Sequence, residues 1–335
     1  MNDNEKYFPM NSAELLDSVL DVYKKSFFKQ IGLSVIFQII LMIIIYLFIF
    51  LGVLSGVVFF LSSFQNGDTG SMIIFFIILA AVALVVITFY SALISTGNAL
   101  ITKKVYLKEK TDLGQVIKES FKMLPAAAST ALANAIIMLP VFVLLGLFLF
   151  VYFLLITQFI DNSGASIGLL ALLTVAMFIV IAVATVVISA FCMMSIAVSV
   201  FEKKYFFSAV IKSFKLAKPD FFKIVGLVTI WTMVTVVGTY SITGLAALAL
   251  FLAETVAPAN MAAYLTMLTI GASYIINPLI AIILSPLSGI FATMLYINQR
   301  MKYEGLDIEL NLSDIKRAEF IKRYNDMYTT QPHKF

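Results

Sequence analysis

One cysteine, one histidine and one tryptophan in 335 residues each remove a class of chemistry. Cys192, alone and inside an apolar run, excludes an intramolecular disulfide and any cysteine-based metal site. His333, the third residue from the end, leaves no Ser–His pair and no histidine metal cluster. Charge is scarce as well: 13% of residues are charged against 61% hydrophobic, with a mean hydropathy of +1.00, which excludes a soluble globular domain. No phosphate-cradling G-x-x-x-x-G-K-[ST] loop occurs, so no such ATPase domain is expected. What fills the chain instead is six apolar runs: 31–61, 72–101, 126–157, 167–200, 224–253 and 263–297. None contains Asp, Glu, Lys or Arg. Proton relays and paired intramembrane carboxylates are therefore excluded, since function at membrane depth usually shows itself as a buried ionisable residue.

Each run exceeds the roughly 20 residues that cross about 30 Å of hydrocarbon, which implies tilted, kinked or protruding helices. Pro140, Pro278 and Pro286 are the candidate kinks, because each removes a backbone donor. The first run is expected to be a retained transmembrane helix, too long for a signal peptide and lacking a small-residue cleavage pattern. The pI of about 8.9 and net charge of +4 do not point to nucleic acid, because the basic residues have one address. The leader, 102–124, 201–223 and the tail from Arg300 hold four, six, six and seven Lys/Arg, which is all 23. The alternate loops, 62–70, 158–166 and 254–260, hold only Asp68, Asp161 and Glu254. By the positive-inside rule both termini and both long loops are expected in the cytoplasm, which makes the chain a multi-pass protein of the cytoplasmic membrane.

The basic segments resemble one another. Ser26-Phe27, Ser120-Phe121-Lys122 and Ser213-Phe214-Lys215 lie 94 and 93 residues apart, each where a basic amphipathic stretch becomes apolar. Val105-Tyr106-Leu107-Lys108, Val200-Phe201-Glu202-Lys203 and Tyr296-Ile297-Asn298-Gln299 repeat at 95 and 96. The expected unit is an amphipathic elbow helix followed by a membrane hairpin, three times over, at about 11–107, 108–202 and 203–298. The fold class is then an all-α polytopic integral membrane protein of six transmembrane helices. It divides into a cytoplasmic leader (1–30), a membrane domain (31–297) and a cytoplasmic tail (298–335).

Residues 1–10 are polar and expected to fray. Asn11 with Glu14, and Asp112 with Gln115, read as capping boxes. The first opens an interfacial helix with Leu15, Leu16, Val19, Leu20 and Tyr23 on its apolar side. In the third elbow, Pro219 suits the turn into the next membrane helix. After the sixth run, Leu306, Ile308 and Leu310 alternate with Asp307 and Glu309, a period of two that predicts a short extended segment with Gly305 at the break. Ser313 is placed to cap a final helix from Asp314 to about Tyr328.

Candidate intramembrane polar residues are Gln38, Asn134 and Asn277, with Asn98 the fourth amide side chain in the spans. Either some of them converge on a headgroup or small polar solute, or they hydrogen-bond between helices or satisfy backbone groups freed near proline, as at Asn277 beside Pro278; the second reading is favoured. Gly52 and Gly56 form a G-x-x-x-G pair, and Ser91, Ser95 and Ala99 recur every four residues; packing within the chain is the favoured use. Lys118, Lys122, Lys212, Lys215, Lys218, Glu304 and Asp307 are the candidate lipid or partner surface. Lysines near the cytoplasmic leaflet attract anionic headgroups by about 1 kcal/mol each.

This threefold plan, with Tyr303-Glu304-Gly305-Leu306-Asp307 after the last run, resembles the bacterial membrane domain that precedes the catalytic barrel of some glycerophosphoryl diester phosphodiesterases, and its free-standing relatives. The resemblance covers about 11–312. It implies a bacterial origin, a cytoplasmic-membrane location and a link to lipid or envelope chemistry. The family's phosphodiesterase activity belongs to a separate soluble barrel using histidines and metal-binding carboxylates, so no catalytic residue, metal or cofactor carries over. The expected function is a nonenzymatic accessory or scaffold protein for envelope-lipid or transport machinery. Its partners would be membrane lipids, anionic ones among them, and a membrane or cytoplasmic protein. The alternative is a transporter or flippase for an apolar or amphipathic solute. A membrane enzyme is disfavoured because no acid, base or nucleophile in the spans has a partner.

Overall fold

The first capping box forms reciprocally: the Asn11 N–H donates to Glu14 Oε2 and the Glu14 N–H to Asn11 Oδ1, both at 2.9 Å. From this start, in a computed structural model describing residues 7–66, 69–159, 164–256, 262–313, 315, 316 and 319, the chain is helical, with no strand among the described residues. The helices are α1 (Ser12–Asn66), α2 (Thr69–Tyr106), α3 (Leu113–Phe159), α4 (Gly164–Cys192), α5 (Ser195–Glu202), α6 (Phe207–Ala217), α7 (Phe221–Val256) and α8 (Ala262–Glu304). A ninth, α9, covers 306–313. Among the described residues six stretches are long and apolar enough to cross a membrane. They fall on α1, α2, α3, α4–α5, α6–α7 and α8.

Two of the expected elbows are not separate helices. The leader and first span are one helix, α1, because nothing between Lys29 and Ile31 breaks a helix and the buried face continues through Leu15, Val19, Val22, Ser26, Gln30 and Leu33. The second elbow likewise runs unbroken into α3, through Pro125. Pro125 is exposed, so the carbonyl it leaves unpaired four residues earlier is not sealed in a core. Asp112 caps this helix, accepting from the Gln115 N–H at 3.1 Å. Only the third elbow, α6, stands apart, and a 3-10 turn at Lys218–Asp220 carrying Pro219 leads into α7. An additional break falls at Met193–Met194, between α4 and α5. Pro140, Pro278 and Pro286 lie inside uninterrupted helices.

The tail departs from its expected form. Residues 306–313 are helical rather than extended, because the buried residues are Leu306 and, partly, Leu310, four apart on one helical face, while Ile308 is 70% exposed. Gly305, at φ +67°, makes the turn between α8 and α9. Ser313 is no cap: it is the last residue of that stretch, and its hydroxyl donates to the Leu310 carbonyl at 2.8 Å. Most of the expected final helix, 314–328, lies outside the described residues.

Residues 7–10 do not fray. The Tyr7 N–H donates to Asn311 Oδ1 and the Asn311 amide donates back to the Tyr7 carbonyl, both at 2.9 Å. Asn298 grips Met10 the same way, at 2.7 and 3.1 Å. Two asparagines thus copy the ladder a neighbouring strand would supply.

Burial is concentrated at the lysine-rich end. One core joins Leu15, Val19 and Val22 of α1 to α5, α6, the start of α7 and residues 290–301 of α8; on the water side each such side chain stabilises by roughly 1.5–3 kcal/mol. Phe191 stacks between Phe214 and Phe221, with centroids at 4.3 and 5.0 Å, tying α4 to α6 and α7. Toward the other end the helices show apolar side chains such as Leu47, Phe142, Phe178 and Leu245 on their surfaces, as lipid-facing helices do. A Cβ added at Gly52 or Gly56 would meet Leu79 or Phe75 of α2 at 3.6 and 3.5 Å, ordinary contact distances, so the G-x-x-x-G pair packs within the chain.

Candidate functional site

Two regions gather polar residues, one at the basic end and one within the helix bundle. At the basic end, Glu202 closes α5 and accepts from the Tyr296 hydroxyl of α8 at 2.9 Å and from Lys204 at 2.8 Å. Arg300 of α8 places Nε 3.0 Å from Glu304 and 3.8 Å from Glu202. Lys212 of α6 bonds Glu304 and lies 3.9 Å from Glu202. These groups form a clasp joining α5, α6 and α8, and the Glu202, Lys212, Arg300 and Glu304 side chains are only 13–27% exposed. A second link sets Lys302 3.3 Å and Lys223 3.7 Å from Asp220. Burial alone would raise the carboxyls of Glu202 and Asp220, but hydrogen bonds from Lys204 and Tyr296 to the first, and from Lys302 to the second, together with the nearby lysine charges, hold both below the ordinary carboxylate range.

The seven residues expected to form a lipid or partner surface therefore divide. Lys212 and Glu304 are bonded to each other inside the clasp, so they are not a free surface. Lys118, Lys122, Lys215 and Lys218 are exposed, and none has a carboxylate partner among the described residues. Asp307 is half-buried in the first turn of α9, where its charge suits the helix N-terminus. Beside the exposed lysines, Phe121 and Phe214 are exposed as well. Ser26, Ser120 and Ser213, in contrast, are all buried, the first two donating to carbonyls one turn back and the third to Phe191 across the α4–α6 contact.

The two described intramembrane candidates, Gln38 and Asn134, do not converge. Gln38 accepts from the Tyr90 hydroxyl at 2.6 Å, linking α1 to α2. Asn134 exchanges hydrogen bonds with Ser195 at 2.8 and 3.1 Å, linking α3 to α5 at the α4–α5 break. The Asn277 side chain lies outside the described residues. Both described candidates serve helix packing, where such a bond contributes about 0.6 kcal/mol.

Asn98 is different. It is 1% exposed, and neither amide atom finds a protein partner within hydrogen-bond reach. It lines a cavity of about 210 Å³ between α2, α5 and α8, with Ser95, Ser285, Ser288 and Thr293 around it. Gly289 of α8 lies directly against it: a Cβ there would come within 2.7 Å of Asn98 Cβ and 2.9 Å of Nδ2. Ser285 and Ser288 also line a wider groove of about 650 Å³ between α7 and α8. Gln30, Ser34 and Thr96 are further buried side chains whose polar atoms meet no protein partner. Nothing in the sequence set Ser285 or Ser288 apart, since hydroxyls are ordinary in membrane spans. Asn98 carried the only signal, an amide in a run without charge, and it shared that signal with Gln38 and Asn134.

Among the described residues no three His, Cys, Asp or Glu side chains are grouped to hold a metal. No family model, curated protein or solved structure matches the chain. Its architecture, six long apolar helical stretches that each suffice to cross a bilayer, is that of a multi-pass membrane protein.

Proposed function

We propose that this is a nonenzymatic accessory or scaffold protein of the cytoplasmic membrane, with its termini and two basic loops in the cytoplasm, and that its basic end docks a component of envelope-lipid or transport machinery. The observation that carries this function is the division among cations at that end. Lys212 and Arg300 are engaged in the clasp, whereas Lys118, Lys122, Lys215 and Lys218 remain exposed beside Phe121 and Phe214. Lysines flanked by aromatic rings suit the boundary between headgroups and water. The clasp and the shared core tie down α6, which carries Lys215 and leads into Lys218, and an element already fixed lowers the ordering cost of docking.

The test is purification from native membranes in mild detergent, followed by mass spectrometry of proteins and lipids that co-purify in stoichiometric amount. Replacing Lys118, Lys122, Lys215 and Lys218 together by Ser is expected to remove a stoichiometric protein partner while the chain stays folded. Retention of every partner by that variant contradicts the proposal. A transporter or flippase for an amphipathic solute is the second function, and the cavity around Asn98 is the specific observation in its favour.

A further inference from the structure

We propose that the Asn98 cavity and the α7–α8 groove together form a binding site for an uncharged lipid with a hydroxyl-bearing head, of the monoacylglycerol type. The proposal stands on the cavity alone and does not depend on the docking function of the basic end.

Asn98 is the reason to expect a ligand. A buried amide with both its donor and acceptor unpaired costs roughly 1–3 kcal/mol relative to a paired one, and nothing in the surrounding helices relieves it. Gly289 of α8 lies against the amide, and the backbone that carries it is tied to Thr102, whose hydroxyl donates to the Asn98 main-chain carbonyl at 2.7 Å. Both amide atoms are closed off as they stand, so the side chain has to turn toward the cavity to meet a ligand; a group that both donates and accepts, as a hydroxyl does, then satisfies it, and an alkyl chain does not.

The surroundings select the rest of the molecule. Thr293 gives its proton to the Gly289 carbonyl at 2.8 Å, so toward the cavity it offers a lone pair. Ser95, Ser285 and Ser288 add hydroxyls. Among the described residues no charged side chain lines the cavity or the groove, so a phosphate or carboxylate head would enter with its charge unpaired, at a cost of several kcal/mol. About 210 Å³ is room for a head of several heavy atoms, at a water's share of about 30 Å³ each. Beyond Ser285 and Ser288 the groove widens between Ile280 and Leu284 on one side and the α7 threonines on the other. The hydroxyls of Thr235, Thr239 and Thr243 are bonded back to their own helix, which leaves methyl groups for an acyl chain. A compact neutral head and one apolar tail match this shape.

The experiment uses the full chain in nanodiscs with a photoactivatable monoacylglycerol carrying a diazirine on its acyl chain, and the corresponding fatty acid as the anionic control. The glyceride is expected to label peptides spanning Thr235–Thr243 or Ile280–Ser288, with the fatty acid labelling them about tenfold less. Asn98→Leu removes the unpaired amide at similar volume. It is expected to lower glyceride labelling about tenfold, the equivalent of one hydrogen-bonded contact, while thermal stability is unchanged or raised. Ser288→Phe, at an exposed position where the cavity meets the groove, is expected to block labelling independently. Equal labelling by glyceride and fatty acid overturns the proposal. So does labelling that survives both substitutions, or the absence of labelling at these peptides, which would leave the amide satisfied by water alone.

Discussion

At the residue scale the three helices that run toward the basic end stop in the same way. Lys108 follows α2 at φ 54°, Lys203 follows α5 at φ 53° and Gly305 follows α8 at φ 67°. Glycine adopts this left-handed conformation freely, whereas an L side chain meets the following carbonyl, at roughly 1–2 kcal/mol. Lys203→Gly is therefore expected to raise stability by about 0.5–1 kcal/mol, after allowing for the greater freedom glycine loses on folding. Thermal unfolding in detergent measures this, and a fall instead of a rise would mean that Lys203 makes contacts worth more than its strain. Residue chemistry was the least legible level in the sequence. Gln38, Asn98 and Asn134 look alike as lone amides in apolar runs, and only the neighbouring helix decides whether an amide meets Tyr90, meets Ser195 or meets nothing.

At the element scale, helix ends with a chemical signature were readable and helix continuity was not. Asn11–Glu14 and Asp112 cap as their spacing predicts, and Pro219 marks the turn before α7. The leader and the second elbow merge with their spans because amphipathicity reports which face is buried, not whether the axis bends. Alternation misled at Leu306–Leu310 for a related reason: five residues satisfy periods of two and of four equally well, and burial of Leu306 against the core selected the helix.

The clasp between α5, α6 and α8 makes the element-scale prediction. Glu202→Gln is expected to destabilise the chain by about 1–3 kcal/mol, whereas Lys118→Gln and Lys215→Gln, both exposed, stay within about 0.5 kcal/mol. The pH dependence follows from the lowered carboxyls of Glu202 and Asp220. Their stabilisation is fully present above the ordinary carboxylate pKa and is lost as pH falls through the depressed folded-state values. The unmodified chain therefore loses stability on acidification below the ordinary carboxylate range, and Glu202→Gln shows a shallower loss. Thermal unfolding at a series of pH values compares the two slopes; identical slopes would remove Glu202 from the account.

At the scale of the whole molecule, the six apolar runs and the strict confinement of basic residues were open to view because the bilayer imposes both: length is set by hydrocarbon thickness and lysine placement by the cost of crossing it. Which end holds the core was not, since lipid and protein interior are equally apolar, and a leucine facing either looks the same in sequence. The packed basic end, with its clasp and exposed lysines, is meaningful only if it lies in the cytoplasm. Cysteine accessibility tests this most directly, because replacing the single, buried Cys192 by Ala leaves a clean background. In intact cells a membrane-impermeant maleimide is predicted to label Asp161→Cys and to spare Lys118→Cys and Lys215→Cys, which react only after permeabilisation. Labelling of the two lysine positions from outside would contradict the orientation and the proposed function that rests on it.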